Sequence, residues 1–335
     1  MCAGGFCGGG ARGGRLAVAA YPLPWALRSP RVTIIQDQWT TTSLGGGGDR
    51  KAASLRHMAQ RSAVFASERL RPARDLLKRI PKFRVTVPEI IDVGCRAGES
   101  SKLLLEQFPH AKLLCLDKSA AQLDAAKADE LLSNRMYVSF AHEDVSDHFC
   151  PSEAARGAPL YDLIFSNAAL HWSDAPLPEL TKRLLGRVRP GGALAVQIPD
   201  MAAQPSHALF QQTAQEMGLD TGAIRLPTNE ASPTEYADAL LGPLCKDVDM
   251  WSTTYVHTLS GPDAVFHFMR QTFDGRQALT ASFGAGDEGA SVARAFEEAY
   301  RAQVTRAYPP QKNGSTLYPV TRFFLVAERP LIFDC

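Results

Sequence analysis

The sequence predicts an α/β fold: a mostly parallel sheet flanked by helices, with a largely helical insertion after the fifth strand. Three observations carry that expectation. Between residues 86 and 200, short apolar runs alternate with segments of helical period. The helical segments are about 10–13 residues long, enough for crossovers between parallel strands. A glycine turn at Gly94 and Gly98 joins the first apolar run directly to the first of those helices.

Each element can be read in order. Residues 62–80 have helical period, with Leu76, Leu77 and Ile80 on one face. Pro72 lacks an N–H and is a point where that helix can break, and Pro81 ends it. Residues 89–93 (EIIDV) form a buried strand, followed by a helix over 99–108. A second strand over 112–116 ends at Asp117, and a helix over 120–132 follows. Residues 137–141 and 161–166 give the third and fourth strands, and 177–185 a further helix. The turn Pro190-Gly191-Gly192 leads into a fifth strand over 193–198. Beyond it, residues 205–245 and 261–308 look mainly helical around a strand-like run at 250–259. Residues 321–327 (TRFFLVA) are a late strand able to join the sheet.

Residues 1–57 stand apart. They hold Arg12, Arg15, Arg28, Arg31, Arg50, Lys51 and Arg56 against only Asp37 and Asp49, with glycine clusters and no periodic apolar face. That pattern predicts a disordered extension or an organelle transit peptide, and Met58 offers a second start. The expected division is this extension, a helical segment over 58–85, the core over 86–200, and a region completing the domain over 201–330.

Bulk properties narrow the function. Of the 335 residues, 45% are apolar and 21% charged, and the net charge is +1. Such a chain has a sizeable core and no basic footprint for nucleic acid. The longest apolar stretch, 16–27, carries Pro22 and Pro24 and is too short to span a bilayer. Seven scattered cysteines without a C-x-x-C pair suggest neither a disulfide framework nor a metal site. A reducing compartment follows: the cytoplasm, or an organelle reached through residues 1–57.

The sharpest chemical signal is I-D-V-G-C-R-A-G-E-S over residues 91–100. Gly94 and Gly98 let the backbone approach a ligand closely, and the helix N-terminus beyond offers N–H groups to an anion. Asp117 ends the second strand, where a carboxylate can accept from ribose hydroxyls. Asp144 follows the third strand, and Asn167 and Ala168 the fourth. Taken alone, Asp117 could be a helix-terminal charge and Asp144 a cap. Their joint place at successive strand ends favours a nucleoside-type cofactor. A nicotinamide dinucleotide site would need a glycine at Arg96, where the pyrophosphate approaches.

These motifs resemble those of the S-adenosylmethionine-dependent methyltransferases over about residues 86–200, with a first motif D-x-G-C-G-x-G and a P-G-G before strand five. Arg96 and Ala97 stand where that loop is rich in glycine. Further segments are similar to the trans-aconitate methyltransferases. They include ERLRPARDLL at 68–77, DLIFSNAALHW at 162–172, QIPD at 197–200 and PSH at 205–207. WSTTY at 251–255, YPP at 308–310 and FFLVA at 323–327 add to the likeness.

The resemblance implies a Rossmann-like fold with S-adenosylmethionine held by Asp92, Gly94, Gly98, Asp117 and Asp144, and by Asn167 and Ala168 beside the methyl group. It also implies a small-molecule carboxylate as acceptor, esterified without a general base because a carboxylate is ionised at pH 7. Asn167, His171 and Trp172 are then expected to position the reactants. Arg322, Tyr318, Tyr255 and Arg71 are the expected acceptor contacts, Arg322 foremost because guanidinium binds carboxylate bidentately. Another acceptor, an acyl carboxylate or a phenol, or a catalytically weak cofactor-fold binding protein, are the alternatives. No metal is expected.

Overall fold

The computed structural model describes residues 66–331 apart from 151–156, 246 and 274–277. The expectations for residues 1–57 and for the start of the helical segment at 58–65 lie outside the described residues. The first half of the chain runs α1 (Ala66–Leu77), β1 (Glu89–Val93), α2 (Glu99–Gln107), β2 (Lys112–Asp117), α3 (Ala120–Lys127), α4 (Glu130–Ser133), β3 (Val138–His142) and α5 (Val145–His148). Next come β4 (Tyr161–Asn167), a 3₁₀ turn (Leu170–Trp172), α6 (Leu177–Leu185) and β5 (Val188–Pro199). The remainder is α7 (Pro205–Glu216), α8 (Pro233–Leu240), β6 (Val248–Ser260), α9 (Ala264–Thr272), a 3₁₀ turn (Thr280–Phe283), α10 (Gly286–Ala307) and β7 (Ser315–Glu328).

Seven strands make one sheet in the order β3-β2-β1-β4-β5-β7-β6. The first five are parallel, and β7 enters antiparallel between β5 and β6. Both faces are covered, which explains the near-continuous apolar runs in the strands. Ile90, Leu113, Leu163 and Phe324 point to one face, against Leu76 of α1, Leu104 of α2 and Leu123 of α3. Their neighbours Ile91, Leu116, Ile164 and Phe323 point to the other, against Leu180 and Leu184 of α6 and Tyr236 of α8. The period of two along each strand thus divides one apolar run between two cores.

A third apolar cluster joins α7, α9 and α10 to the far end of β6 and β7. β5 stops at Pro199, opposite Arg322, whereas β7 begins at Ser315. The β6–β7 ribbon therefore projects past the parallel strands, and the helical insertion packs around the projection. This places Arg322 where the sheet ends and the insertion begins.

Differences from the sequence reading are local. α1 passes through Pro72 without a break: the proline costs one rung of the ladder, while it and Ala73, Leu76 and Leu77 are buried against the sheet. The helix expected over 120–132 is two, because Asp129 caps a new start by accepting from the Leu131 N–H. Strand pairing in β5 begins at Val188 and takes in the Pro-Gly-Gly segment. Among the described residues, no helix is long and apolar enough to cross a membrane.

At the amino ends of the strands, one carboxylate ties three of them together. Asp162 Oδ2 accepts from the Glu89 N–H at 2.8 Å and from Arg189 Nη1 at 3.0 Å, and Arg189 Nη2 donates to Glu89 at 2.8 Å. Asp162→Ala leaves the part-buried Glu89 N–H and one of the two bonding nitrogens of Arg189 without their acceptor. A loss of about 2–3 kcal/mol in urea unfolding is expected, with Asp162→Asn losing less because it keeps an oxygen in place.

Candidate functional site

Strand order reverses between β1 and β4, so the chain leaves their carboxyl ends in opposite directions and a crevice opens there. It encloses about 520 Å³, open mouth included, and is lined by Gly94, Arg96, Asn167, Ala168, Gln197 and Arg322, with Leu70, Glu99 and Ser100. A larger hollow of about 1270 Å³, open mouth included, lies at the opposite end of the strands, beside Asp162, Gly191 and Glu328. Size alone favours that one. The unpartnered buried polar atoms favour the crevice: of Asp92 Oδ1, Asn167 Oδ1, His171 Nδ1, Arg187 Nη1, Gln197 Nε2 and Arg322 Nε, three belong to residues that line it.

The glycine turn is fixed from several sides. Gly94 and Cys95 donate their N–H groups to Leu116 C=O at 2.8 and 3.1 Å. Asp92, fully buried at the end of β1, accepts from Ser100 Oγ at 2.7 Å and Ser101 Oγ at 2.6 Å in the first turn of α2. Burial raises its carboxyl to about 6 against the opposing pull of the two serines. Gly94 has φ 75°, and a Cβ there would lie 2.1 Å from the Ala169 Cβ, so the turns after β1 and β4 interlock without room for a methyl. Gly98 (φ 87°) caps α2 without a side chain, leaving the first N–H groups of the helix uncovered by a cap.

Asp117 Oδ2 accepts the Arg96 N–H at 2.9 Å and Oδ1 the Ser119 N–H at 2.8 Å. Each oxygen keeps a further lone pair. Arg96 takes φ 52°, the left-handed conformation a glycine would adopt freely, and its side chain is exposed. Asp144 caps α5 through the Ser146 N–H at 2.9 Å, while Lys118 Nζ stands 3.8 Å from its other oxygen. It does not line the crevice.

At the end of β4, Asn167 lies beside Gln197 of β5, and Ala168 takes φ 57° to turn the chain away. His171 and Trp172 follow in the 3₁₀ turn, where Arg225 and Lys118 both donate to the Trp172 C=O. Burial, and then the positive charge of Arg322, lowers His171 to about 3, so its imidazole is neutral at pH 7. His207 is likewise held at about 3. Burial brings Arg322 down to about 10, and it stays cationic.

Two of the expected acceptor contacts give their hydroxyl protons to internal partners instead. Tyr255 donates to Asp75 at 2.9 Å with Arg71 stacked 4.9 Å above its ring. Tyr318 meets Met269 Sδ at 3.4 Å and Ser206 Oγ at 3.0 Å. Gln197, part of the QIPD motif, is a lining residue that the motif alone does not mark as belonging to the site. Its burial beside Asn167 comes from strand pairing, which the motif alone does not reveal.

The methyltransferase domain family matches residues 91–194. A trans-aconitate 2-methyltransferase of Methylobacterium nodulans is 38% identical over 274 residues, 79% of this chain and 95% of the relative. The chain belongs to the trans-aconitate 2-methyltransferase family. The proteins of that name from Afipia carboxidovorans and Azoarcus sp. are 35% and 33% identical, each over 81% of this chain and 98% of their own length. A solved putative methyltransferase from Bacillus halodurans, 11% identical, covers 77% of this chain and 98% of that one at a TM-score of 0.46. It adds nothing to the sheet order already described.

The cofactor of such a methyltransferase is S-adenosylmethionine, and the crevice fits it. The Gly94 turn lines the crevice without a side chain, the N-terminus of α2 offers N–H groups to a carboxylate, and Asp117 has lone pairs for the ribose hydroxyls. The positive φ at Arg96 keeps the shape of the turn at a cost of about 1 kcal/mol. Among the described residues no cluster of His, Cys, Asp or Glu could hold a metal ion.

Two outcomes follow. Arg96→Gly should raise the urea midpoint slightly, by less than about 1 kcal/mol, without weakening S-adenosylmethionine binding in calorimetry. Asp92 gives a pH signature. Its carboxyl titrates near 6 when folded and near 3.8 otherwise, so the folded state is favoured while it is protonated. That contribution is full below pH 4 and is lost as pH rises through 6, a change of roughly 2–3 kcal/mol. Asp92→Asn should flatten the stability profile over that window, measured as urea midpoints from pH 4 to 7.

Proposed function

We propose that this methyltransferase esterifies one carboxylate of a small polycarboxylic acid, trans-aconitate or a close analogue. The observation that carries the reading is Arg322: its Nε is buried without a partner, and no carboxylate of the protein pairs with it among the described residues. A guanidinium at the mouth of the cofactor crevice, with Gln197 Nε2 also unpartnered beside Asn167, suits an acceptor bearing carboxylates beyond the one that reacts. The names of the relatives support the same acceptor.

Bound in the crevice, S-adenosylmethionine supplies a methyl group on a positively charged sulfur. What the chain contributes is position. Asp117 and the Gly94 turn hold the nucleoside side, and Asn167 and Ala168 face the reacting end. Arg322 fixes the acceptor by a carboxylate that does not react, leaving the other turned toward the methyl group. Asp144, one oxygen of which caps α5, keeps its other oxygen as an acceptor for the amino group of the cofactor's adenine. His171 and Trp172, in the 3₁₀ turn after β4, stand behind the crevice lining and shape it through the turn they form. Catalysis then rests on near-attack geometry and exclusion of water rather than on proton transfer. Tyr255 and Tyr318 lie near Arg322 as neutral phenols, and Arg71 stacks on the Tyr255 ring.

A phenol acceptor would call for a base near pH 7. His171, held at about 3, is a poor one. The carboxylate reading therefore stands above the phenol alternative. A cytoplasmic location is supported by the buried thiols Cys95, Cys115 and Cys245, with import through residues 1–57 as the alternative.

The deciding experiment measures S-adenosylhomocysteine release against a panel of mono-, di- and tricarboxylic acids. Turnover is expected only with the polycarboxylates. Arg322→Ala should raise KM about 100-fold with a smaller change in kcat, and Arg322→Lys should fall between. Equal turnover of monocarboxylates, or an Arg322→Ala variant with unchanged KM, would sink the acceptor assignment while leaving the cofactor site intact.

A further inference from the structure

The two edges of the sheet differ. β3 is a five-residue strand, short enough to offer little to another chain. β6 runs 13 residues, from Val248 to Ser260, and between Met250 and Ser260 it contains no Lys, Arg, Asp, Glu or Pro. It pairs with β7 in unbroken register along its whole length, so no bulge twists it away. Charges, prolines and bulges are the usual protections of a long edge, and all are missing from this stretch.

The backbone groups that face the open side can be assigned. Thr321 of β7 lies opposite Thr254. Its C=O accepts from the Asp200 N–H at 3.0 Å and its N–H points to Met201 Sδ at 3.2 Å, so both groups turn away from β6. Thr254 and Thr321 are therefore a non-hydrogen-bonded pair, the close kind, and their hydroxyls meet at 3.1 Å. Thr254 must then direct its own N–H and C=O outward, and so must every second residue. Pro319, opposite Val256, has no N–H to give β6 and obeys the same parity. Among the described residues, no backbone group outside the β6–β7 ladder bonds to this outer row.

The outward residues are Ser252, Thr254, Val256, Thr258 and Ser260, all with exposed side chains. Read in either direction they give the same series: Ser, Thr, Val, Thr, Ser. We propose that β6 pairs antiparallel with β6 of a second copy of this chain, about a two-fold axis at Val256. In that register Val256 meets Val256 of the other copy, each Thr254 meets a Thr258, and each Ser252 meets a Ser260. Each is a hydrogen-bonded pair, giving on the order of ten inter-strand bonds, and hydroxyl pairs of this kind favour antiparallel partners. A two-fold contact needs a self-complementary patch, which a palindromic strand supplies. The exposed Leu241 and Leu244, on the loop entering β6, add apolar surface near the same edge.

Sedimentation of the full chain should give twice the 36.4 kDa chain mass at micromolar concentration. Val256→Lys places two like charges at the axis and should weaken association at least tenfold. Cysteine cross-linking reads the register without relying on that variant. Under mild oxidation Val256→Cys should give a covalent dimer, because facing Cα atoms of such a pair lie about 5.5 Å apart. Ser252→Cys alone should not, whereas a mixture of Ser252→Cys with Ser260→Cys should. A monomer at all concentrations, a dimer indifferent to Val256→Lys, or cross-linking of Ser252→Cys as efficient as that of Val256→Cys would overturn the proposal.

Discussion

Much of the structure depends on the clasp between Asp92 and the two serines that open α2. A carboxylate at the end of the first strand, shut away from water, holds strand and helix at a fixed distance through two short hydrogen bonds. The glycine turn between them is bridged by those bonds and held further by the Gly94 and Cys95 N–H groups on Leu116 C=O. Its conformation then determines where Asp117 meets the Arg96 N–H and where the turn after β4 can pass. The cost is a carboxyl pushed well above its ordinary range. Burying a charged group is tolerated here because the hydrogen bonds partly offset the lost hydration.

The parallel half of the fold was legible because its signals are local. Strand β1, α2 and α6 fall within a residue of their expected bounds, since apolar period, turn glycines and prolines act on neighbours in the chain. Asp117 was legible for the same reason, as a carboxylate ending a strand. The acceptor side was less so. Arg322 was foreseeable as a cation near a late strand, yet its lack of a counterion could not be read from its neighbours. Gln197 lies among apolar strand residues, and only the pairing of β5 with β4 makes it a wall of the crevice. Tyr255 and Tyr318 were expected to face the acceptor because phenols suit carboxylates. Contacts with Asp75 and Met269, 180 and 49 residues away in sequence, engage them elsewhere.

The two halves of the crevice also differ electrostatically. Around the cofactor turn the protein presents backbone donors and carboxylates, a mixed surface suited to a nucleoside that carries a carboxylate and positive charges. Around Arg322 the neighbours are neutral: imidazoles kept uncharged by burial, and phenols whose protons burial makes hard to remove. A cation among neutral groups draws its counter-charge from whatever binds. The unpartnered atoms of Asn167, Gln197 and Arg322 form a polar rim awaiting hydrogen bonds from outside the chain.

The position of β7 has a bearing on how the protein is made. The strand emerges from the ribosome after β6, yet it occupies the place between β5 and β6. Until residues 315–328 are available, β5 has a bare edge and β6 has no neighbour through which to reach the sheet. The cofactor turn, by contrast, is complete within the first five strands. A nascent chain can thus organise its glycine turn early, while Arg322, the proposed acceptor contact, is placed only with the final strand. Synthesis itself sets an order of assembly, with the proposed acceptor contact last.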